Sequence, residues 1–170
     1  MTKGNPPPDT PLKISWLISA LATALFTGLM ACFIIAIDPT LSELDGSTYA
    51  TVMQKLIQHA DHPPLVPMMV IASIVAPPFT LYFLRQQRSS AAFKWTLTAF
   101  IFAIIVLLIT VGLNVQINNY ISSWNPASVP ADWSAKREAW HQLNLYRTPA
   151  SALALIGHLM AGFSLWKERR

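Results

Sequence analysis

The sequence predicts an all-α integral membrane protein, a four-helix bundle with amphipathic helices in the two loops at one end. Three observations predict it. Of 170 residues, 53% are hydrophobic and 12% charged, with a mean hydropathy of +0.41, whereas a soluble domain carries about 25% charged residues. Four apolar runs have the length of about 20 residues that crosses a bilayer at 1.5 Å per residue. The basic residues crowd at alternate ends of those runs, as membrane topology requires.

Residues 1–13 read as a Pro-rich polar tail. Residues 14–37 form the first span, free of charge and ended by Asp38-Pro39. An Ala20-Leu21-Ala22 sequence resembles a signal-peptidase site, but the apolar run continues past it, which favours an uncleaved anchor. In the following loop Tyr49, Val52, Met53, Leu56, Ile57 and Ala60 recur at helical spacing. That spacing predicts an amphipathic helix with Ser47 as N-cap and Pro63-Pro64 as stop, lying on the membrane surface or roofing the bundle. Residues 65–84 form the second span, with a kink expected at Pro77-Pro78. A short polar link leads to the third span, residues 93–114. Asp132 is the expected cap of a second loop helix, and Pro149 suits the first turn of the fourth span, residues 148–166. Residues 167–170 are a basic tail.

Lys3, Lys13, Arg85, Arg88, Lys94, Lys167, Arg169 and Arg170 lie at one set of span ends, and Lys55, Lys136, Arg137 and Arg147 at the other. This asymmetry predicts cytoplasmic termini, in a bacterial inner or plasma membrane. Topology accounts for the modest net charge of +4, and no nucleic-acid partner is implied. The partners expected are the lipid bilayer and a lipophilic small molecule; the sequence leaves the oligomeric state open. The single cysteine, Cys32, can form no internal disulfide and reads as a small apolar filler.

One stretch breaks the apolar pattern. Asn114 and Asn118 stand one helical turn apart, and Trp133, Arg137, Trp140, Asn144 and Arg147 follow at spacings of 4, 3, 4 and 3. Helical periodicity places those five on one face. Interfacial tryptophans and snorkelling arginines would explain part of it. Asn144 between Trp140 and Arg147 suits a ligand site better, as does an arginine at the bilayer boundary, where a cation needs an anionic partner. That partner is a ligand oxygen or Asp38. Asn114 and Asn118 read alone as interhelical glue, and beside the stripe as ligand contacts. His158, half-way along the fourth span, is a functional candidate by position, though a neutral packed histidine explains it as well. His59, His62 and His141 lack the carboxylate or cysteine spacing of a metal site and read as solvated loop residues, so no metal is expected. No phosphate-binding glycine loop, haem motif or catalytic serine arrangement is present.

At these residues the sequence resembles the anthrone oxygenase family of small four-span membrane proteins. The resemblance rests on Asn114-Val115-Gln116-Ile117-Asn118, where the family shows an N-V-P-x-N-like segment, and on Trp133 and the run Trp140 to Asn144 to Arg147. Gly28, Pro39 and Gln54 are weaker echoes, and Gln116 stands where proline is usual. The resemblance implies a membrane oxidoreductase that oxidises an anthrone- or quinol-like aromatic with molecular oxygen as co-substrate and no resident cofactor. It implies catalytic roles for Arg147, Asn144 and His141: charge stabilisation, hydrogen-bond donation and proton abstraction. Asn114, Asn118, Trp133, Arg137 and Trp140 would then bind substrate. The other reading is a non-catalytic membrane module that binds a lipid, a quinone or a partner protein.

Overall fold

A computed structural model describes residues 9–61 and 64–167; the other residues, including the expected tail over 1–8, His62 and Pro63, lie outside the described part. Every regular element described is helical. α1 (Asp9–Cys32) passes through a π-helical turn (Phe33–Ile37) into α2 (Asp38–Ser42). α3 (Gly46–Asp61) and α4 (Leu65–Phe83) follow, then α5 (Ala91–Ile109), a second π turn (Thr110–Asn114), α6 (Val115–Ser122) and α7 (Trp133–Lys167). Four helical stretches are long and apolar enough to cross a membrane.

α1 packs on α4 and α7, and α5 packs on the same two, which closes a square of four helices. Leu12, Leu84 and Ala92 meet in one buried cluster, with Leu165 packed against it. Leu41, Ile121, Trp124 and Trp140 meet in another. Successive spans therefore run in opposite directions, and the second cluster marks the loop-helix end. The bundle is apolar outside and small or polar inside. Leu25, Ile71, Leu108 and Phe163 are exposed, while Ser19, Thr80, Thr96, Ser151 and His158 are buried. The inward hydroxyls bond mostly to their own helix backbone, as Ser19 does to the Ser15 carbonyl (2.8 Å) and Thr96 to that of Ala92 (2.8 Å). Side chains bonded in this way enter the interior without an unpaired donor. A Cβ on Gly157 would stand 2.9 Å from the Ala99 Cβ, so the glycine sets how closely α7 approaches α5.

Several boundaries depart from the sequence reading. Residues 9–13 are helical, not tail. Asp38-Pro39 does not end the first helix, because a proline following a π turn occupies the first turn of the next segment, where its missing N–H is not needed. The third span runs on through its π turn to Ser122. The stripe and the fourth span are one helix, with Pro149 inside it. The inward positions continue without a break from Arg147 to Ser151, Ala154, His158 and Ala161, so packing of one face outweighs the lost backbone bond. The amphipathic helix expected in the second loop is thus the first part of α7, with no bend separating it from the span. α4 likewise continues through Pro77 and Pro78.

The first loop helix forms as expected. Tyr49, Ala50 and Met53 of α3 are buried against α6 and the α7 stripe. Its cap is Asp45, not Ser47: the Asp45 carboxylate accepts from the Ser47 and Thr48 amides (2.9 and 3.1 Å) and from the Thr48 hydroxyl (2.7 Å). Those bonds hold the exposed carboxyl below its ordinary pKa. Gln54 Nε2 donates to the Ile121 and Trp124 carbonyls (3.0 and 2.9 Å), pinning α3 to the end of α6.

Candidate functional site

The two π turns build the site. Met30 on α1 and Val106 on α5 face the interior. Asp38 and Asn114 each lie eight residues further on. In a regular helix eight residues advance about 80° past the starting face. Each π turn absorbs one extra residue, and its bonds span five: Asp38 N–H to the Phe33 carbonyl and Val115 N–H to the Thr110 carbonyl. The next residues are thereby returned to the inward face, and both Asp38 and Asn114 are buried. Single π turns inside α-helices often mark functional sites.

Opposite them stand His141, Asn144 and Arg147 of α7. His141 Nδ1 lies 2.9 Å from Asp38 Oδ2. Asp38 thus bonds His141 and not Arg147, and the guanidinium acts on it only through the electrostatic field. Arg147 donates to the Asn144 side-chain oxygen and, at 3.3 Å, to the Thr110 hydroxyl. Asn144 is fully buried and Arg147 is 6% exposed. Three donors in this group make no close hydrogen bond, Asn114 Nδ2, Asn144 Nδ2 and Arg147 Nε, with the Asn144 amide lying towards the Asp38 carboxylate. Leaving buried donors unpaired costs about 1–3 kcal/mol each, more for a charged group. Spare donors on Asn114, Asn144 and Arg147 in the bundle interior suit an oxygen that carries negative charge.

The remaining stripe residues hold the walls. Trp140 Nε1 donates to Asn118 Oδ1 (3.0 Å) and the ring meets Phe33 edge-on, with centroids 5.6 Å apart. Arg137 donates to the Ser42 and Leu44 carbonyls (both 3.1 Å), closing the end of α2. Its guanidinium also lies 4.9 Å from the Trp133 ring centroid. Trp133 packs against Tyr49 and over Gly46, where a Cβ would come within 2.9 Å of the indole. The structure therefore brings Asn114, His141, Asn144 and Arg147 together, and places Asn118, Trp133, Arg137 and Trp140 in the adjoining frame.

A groove of about 550 Å³ opens on the flank between α6 and α7, lined by Leu113, Ile117, Tyr120, Lys136 and Leu143 among others. It does not include the buried cluster, whose donors are shielded from solvent, so a ligand reaches them only by parting the side chains above. Among the described residues no three His, Cys, Asp or Glu side chains group closely enough to hold a metal ion. His59 is exposed.

A family model described as anthrone oxygenase matches residues 56–157, more than half of the chain. The chain belongs to the anthrone oxygenase family. The matched segment contains all eight candidate residues of the polar stretch; Asp38 and Tyr49 lie outside it. No curated protein and no solved structure matches the chain. Within this anthrone oxygenase fold the sequence reading missed how Asp38 reaches His141. The available signal was spacing: Asp38 stands eight residues after an inward position, where a regular helix would turn it aside.

Proposed function

We propose that this protein is a membrane oxidoreductase that grips a flat lipophilic anthrone- or quinol-like substrate by its oxygen and oxidises the activated carbon conjugated with that oxygen across the ring, using molecular oxygen. The observation that carries the reading is the set of donors without a close hydrogen bond, Asn114 Nδ2, Asn144 Nδ2 and Arg147 Nε, beside the His141–Asp38 pair. With Nδ1–H donating to Asp38, an assignment that follows from the carboxylate's acceptor role, His141 Nε2 is the basic nitrogen. It takes a proton from the activated CH2 as the electron pair moves onto the substrate oxygen. The three donors stabilise the resulting enolate, in surroundings where fixed dipoles act strongly. The enolate passes one electron to dioxygen, and the radical pair combines in a carbon–oxygen bond. His141 returns its proton to the resulting peroxide anion, and loss of the second C–H proton with cleavage of the O–O bond then releases water. One CH2 thereby becomes C=O, and one dioxygen becomes the carbonyl oxygen and one water. Trp140 and Phe33 supply apolar stacking surface.

The test is oxygen uptake by purified protein in nanodiscs with anthrone and hydroquinones. Arg147→Ala and Asn144→Ala are each expected to lower turnover by about 10²–10³-fold, the effect of deleting an oxyanion donor. His141→Ala should do so at unchanged substrate affinity. No uptake by the parent on any such substrate, or full activity in all three variants, would sink the reading.

A second reading follows from the flank groove. Lys136 at one end and Leu113 and Leu143 along it suit an amphiphile with an anionic head, as in a non-catalytic lipid-binding module. It predicts a co-purifying lipid lost in Lys136→Glu, and no oxygen uptake. The charge asymmetry between the two sets of span ends supports cytoplasmic termini. Labelling of single cysteines at the two ends of the bundle in intact cells tests that orientation.

A further inference from the structure

The third span packs tightly on α7 only up to its π turn. Gly157 brings α5 so close that an added Cβ would meet the Ala99 Cβ at 2.9 Å. Beyond the π turn, α6 packs mainly on α3 and only slightly on α7. Two hydrogen bonds clasp this looser part. Arg147 donates to the Thr110 hydroxyl (3.3 Å) at one end, and the Trp140 indole donates to Asn118 Oδ1 (3.0 Å) at the other. Thr110 and Asn118 stand eight residues apart, about 12 Å along the helix. Among the described residues no hydrogen bond crosses to α7 between these two clasps. The flank groove lies against that window. In the antiparallel register that the clasps set, Leu113 stands level with Leu143, Ile117 with Ala139, and Tyr120 with Lys136. The buried Asn114 and Asn144 are the very next residues after Leu113 and Leu143. One thin wall therefore has the groove on its outer side and the spare donors on its inner side. The polar groups of the groove are already engaged. Gln116 donates to the Gly112 carbonyl and Gln142 to the Glu138 carboxylate (both 2.7 Å). Lys136 faces the Asp132 carboxylate at 3.9 Å, and the Tyr120 hydroxyl donates to the same carboxylate at 3.1 Å. The mouth thus carries its own counter-charge, which suits an uncharged occupant better than an anionic one.

We infer that the flank groove is a lateral portal: an uncharged lipophilic ligand enters from the bilayer between the two clasps, and Leu113 and Leu143 are the gate that parts to admit it to Asn114, Asn144 and Arg147. The inference rests on the proposed function for what the ligand meets inside, and adds the route and the residues that control it. α6 is the wall that yields, because few contacts hold it to α7 between the clasps. The clasps stay closed as the gate opens, so Trp140 and Arg147 keep their places while the ligand arrives. Closed, the two leucines keep water from the donors, which strengthens the electrostatic grip of the site.

The experiment uses the full chain in nanodiscs, with anthrone as the probe and stopped-flow tryptophan fluorescence as the readout. A gate sets rates and not affinity. Cutting it back in the double variant Leu113→Ala, Leu143→Ala should raise association and dissociation rates by the same factor, about tenfold, as about 1.4 kcal/mol off a barrier does. The dissociation constant should stay unchanged. The second variant carries Leu113→Cys and Leu143→Cys with Cys32→Ala, its two thiols bridged by a short reagent that a reductant cleaves. Bridged, it should bind anthrone about tenfold more slowly or worse, and reductant should restore the rate. Rates unaltered by both the truncation and the bridge overturn the portal. So does a changed dissociation constant at an unchanged association rate, which would make the leucines part of the binding surface or the fold. A phospholipid that stays bound in the groove while anthrone exchanges at the parent's rate makes the groove a lipid seat and also overturns the portal. In each of these cases anthrone still binds and the proposed function stands. Failure of the parent to bind anthrone overturns the proposed function and this inference together.

Discussion

Asp38 and Arg147 give the sharpest test of how the interior is held together. Both are 6% exposed, on facing helices, and no hydrogen bond joins them. Asp38 is the one group of opposite charge acting on Arg147 among the described residues. Opposite charges about 4 Å apart attract by about 4 kcal/mol at an effective dielectric of about 20, and by less at the longer separation of a pair that makes no contact. Removing Asp38 leaves Arg147 buried with no opposite charge acting on it among the described residues, which costs about 3–5 kcal/mol, and removing Arg147 leaves Asp38 with its bond to His141 alone to offset its burial. Asp38→Asn and Arg147→Met should therefore each destabilise strongly. The double variant, with both charges gone, should cost less than the two singles together, with a coupling of about 2–3 kcal/mol. The assay is a double-mutant cycle by reversible SDS titration in mixed micelles, with helix content confirming that each variant folds. Additivity to within about 0.5 kcal/mol, the spread found for independent sites, would refute the claim that the first π turn brings Asp38 into one compartment with Arg147.

Three further outcomes follow. Gly157→Val should destabilise by about 1–3 kcal/mol through overpacking, because the added atoms meet the Ala99 amide and the Trp95 carbonyl, both at 3.0 Å, as well as the Ala99 Cβ; a variant as stable as the parent in the same titration would contradict that packing. Asn118→Leu removes the acceptor of the Trp140 indole and should lower the unfolding midpoint and red-shift tryptophan emission. The Asp45 carboxyl has a folded pKa below its unfolded value, so the stability it gives is present above the unfolded pKa, near 3.9, and is lost as pH falls through the lower folded value. Faster amide exchange at the start of α3 in acid, abolished in Asp45→Asn, checks the sign.

The polar cluster was largely legible, because a continuous polar face is costly in an apolar chain unless it meets a partner or a ligand. Asn114, Asn144 and Arg147 were singled out by spacing alone, and His141 by its place beside the stripe. Local breakers misled the element boundaries. Pro39 was read as an end and Pro149 as the first turn of a new helix, because a proline removes one backbone bond. In the fold that loss is outweighed by a continuous inward face on α7 and by a π turn that absorbs the proline after α1. Asp45 displaced Ser47 as the cap because its carboxylate reaches two amides and a hydroxyl at once.

By itself the sequence determined the fold class, four spans, the roofing helix and the face that carries the polar stripe. These depend on composition and on periodicity along one helix, which are local quantities. Only the tertiary structure decided that Asp38 bonds His141, that Asn118 and Arg137 brace the frame, and that three donors make no close hydrogen bond. Those facts depend on rotations of helices relative to one another. A single extra residue in each of two turns sets those rotations, and periodicity read along one helix does not register it.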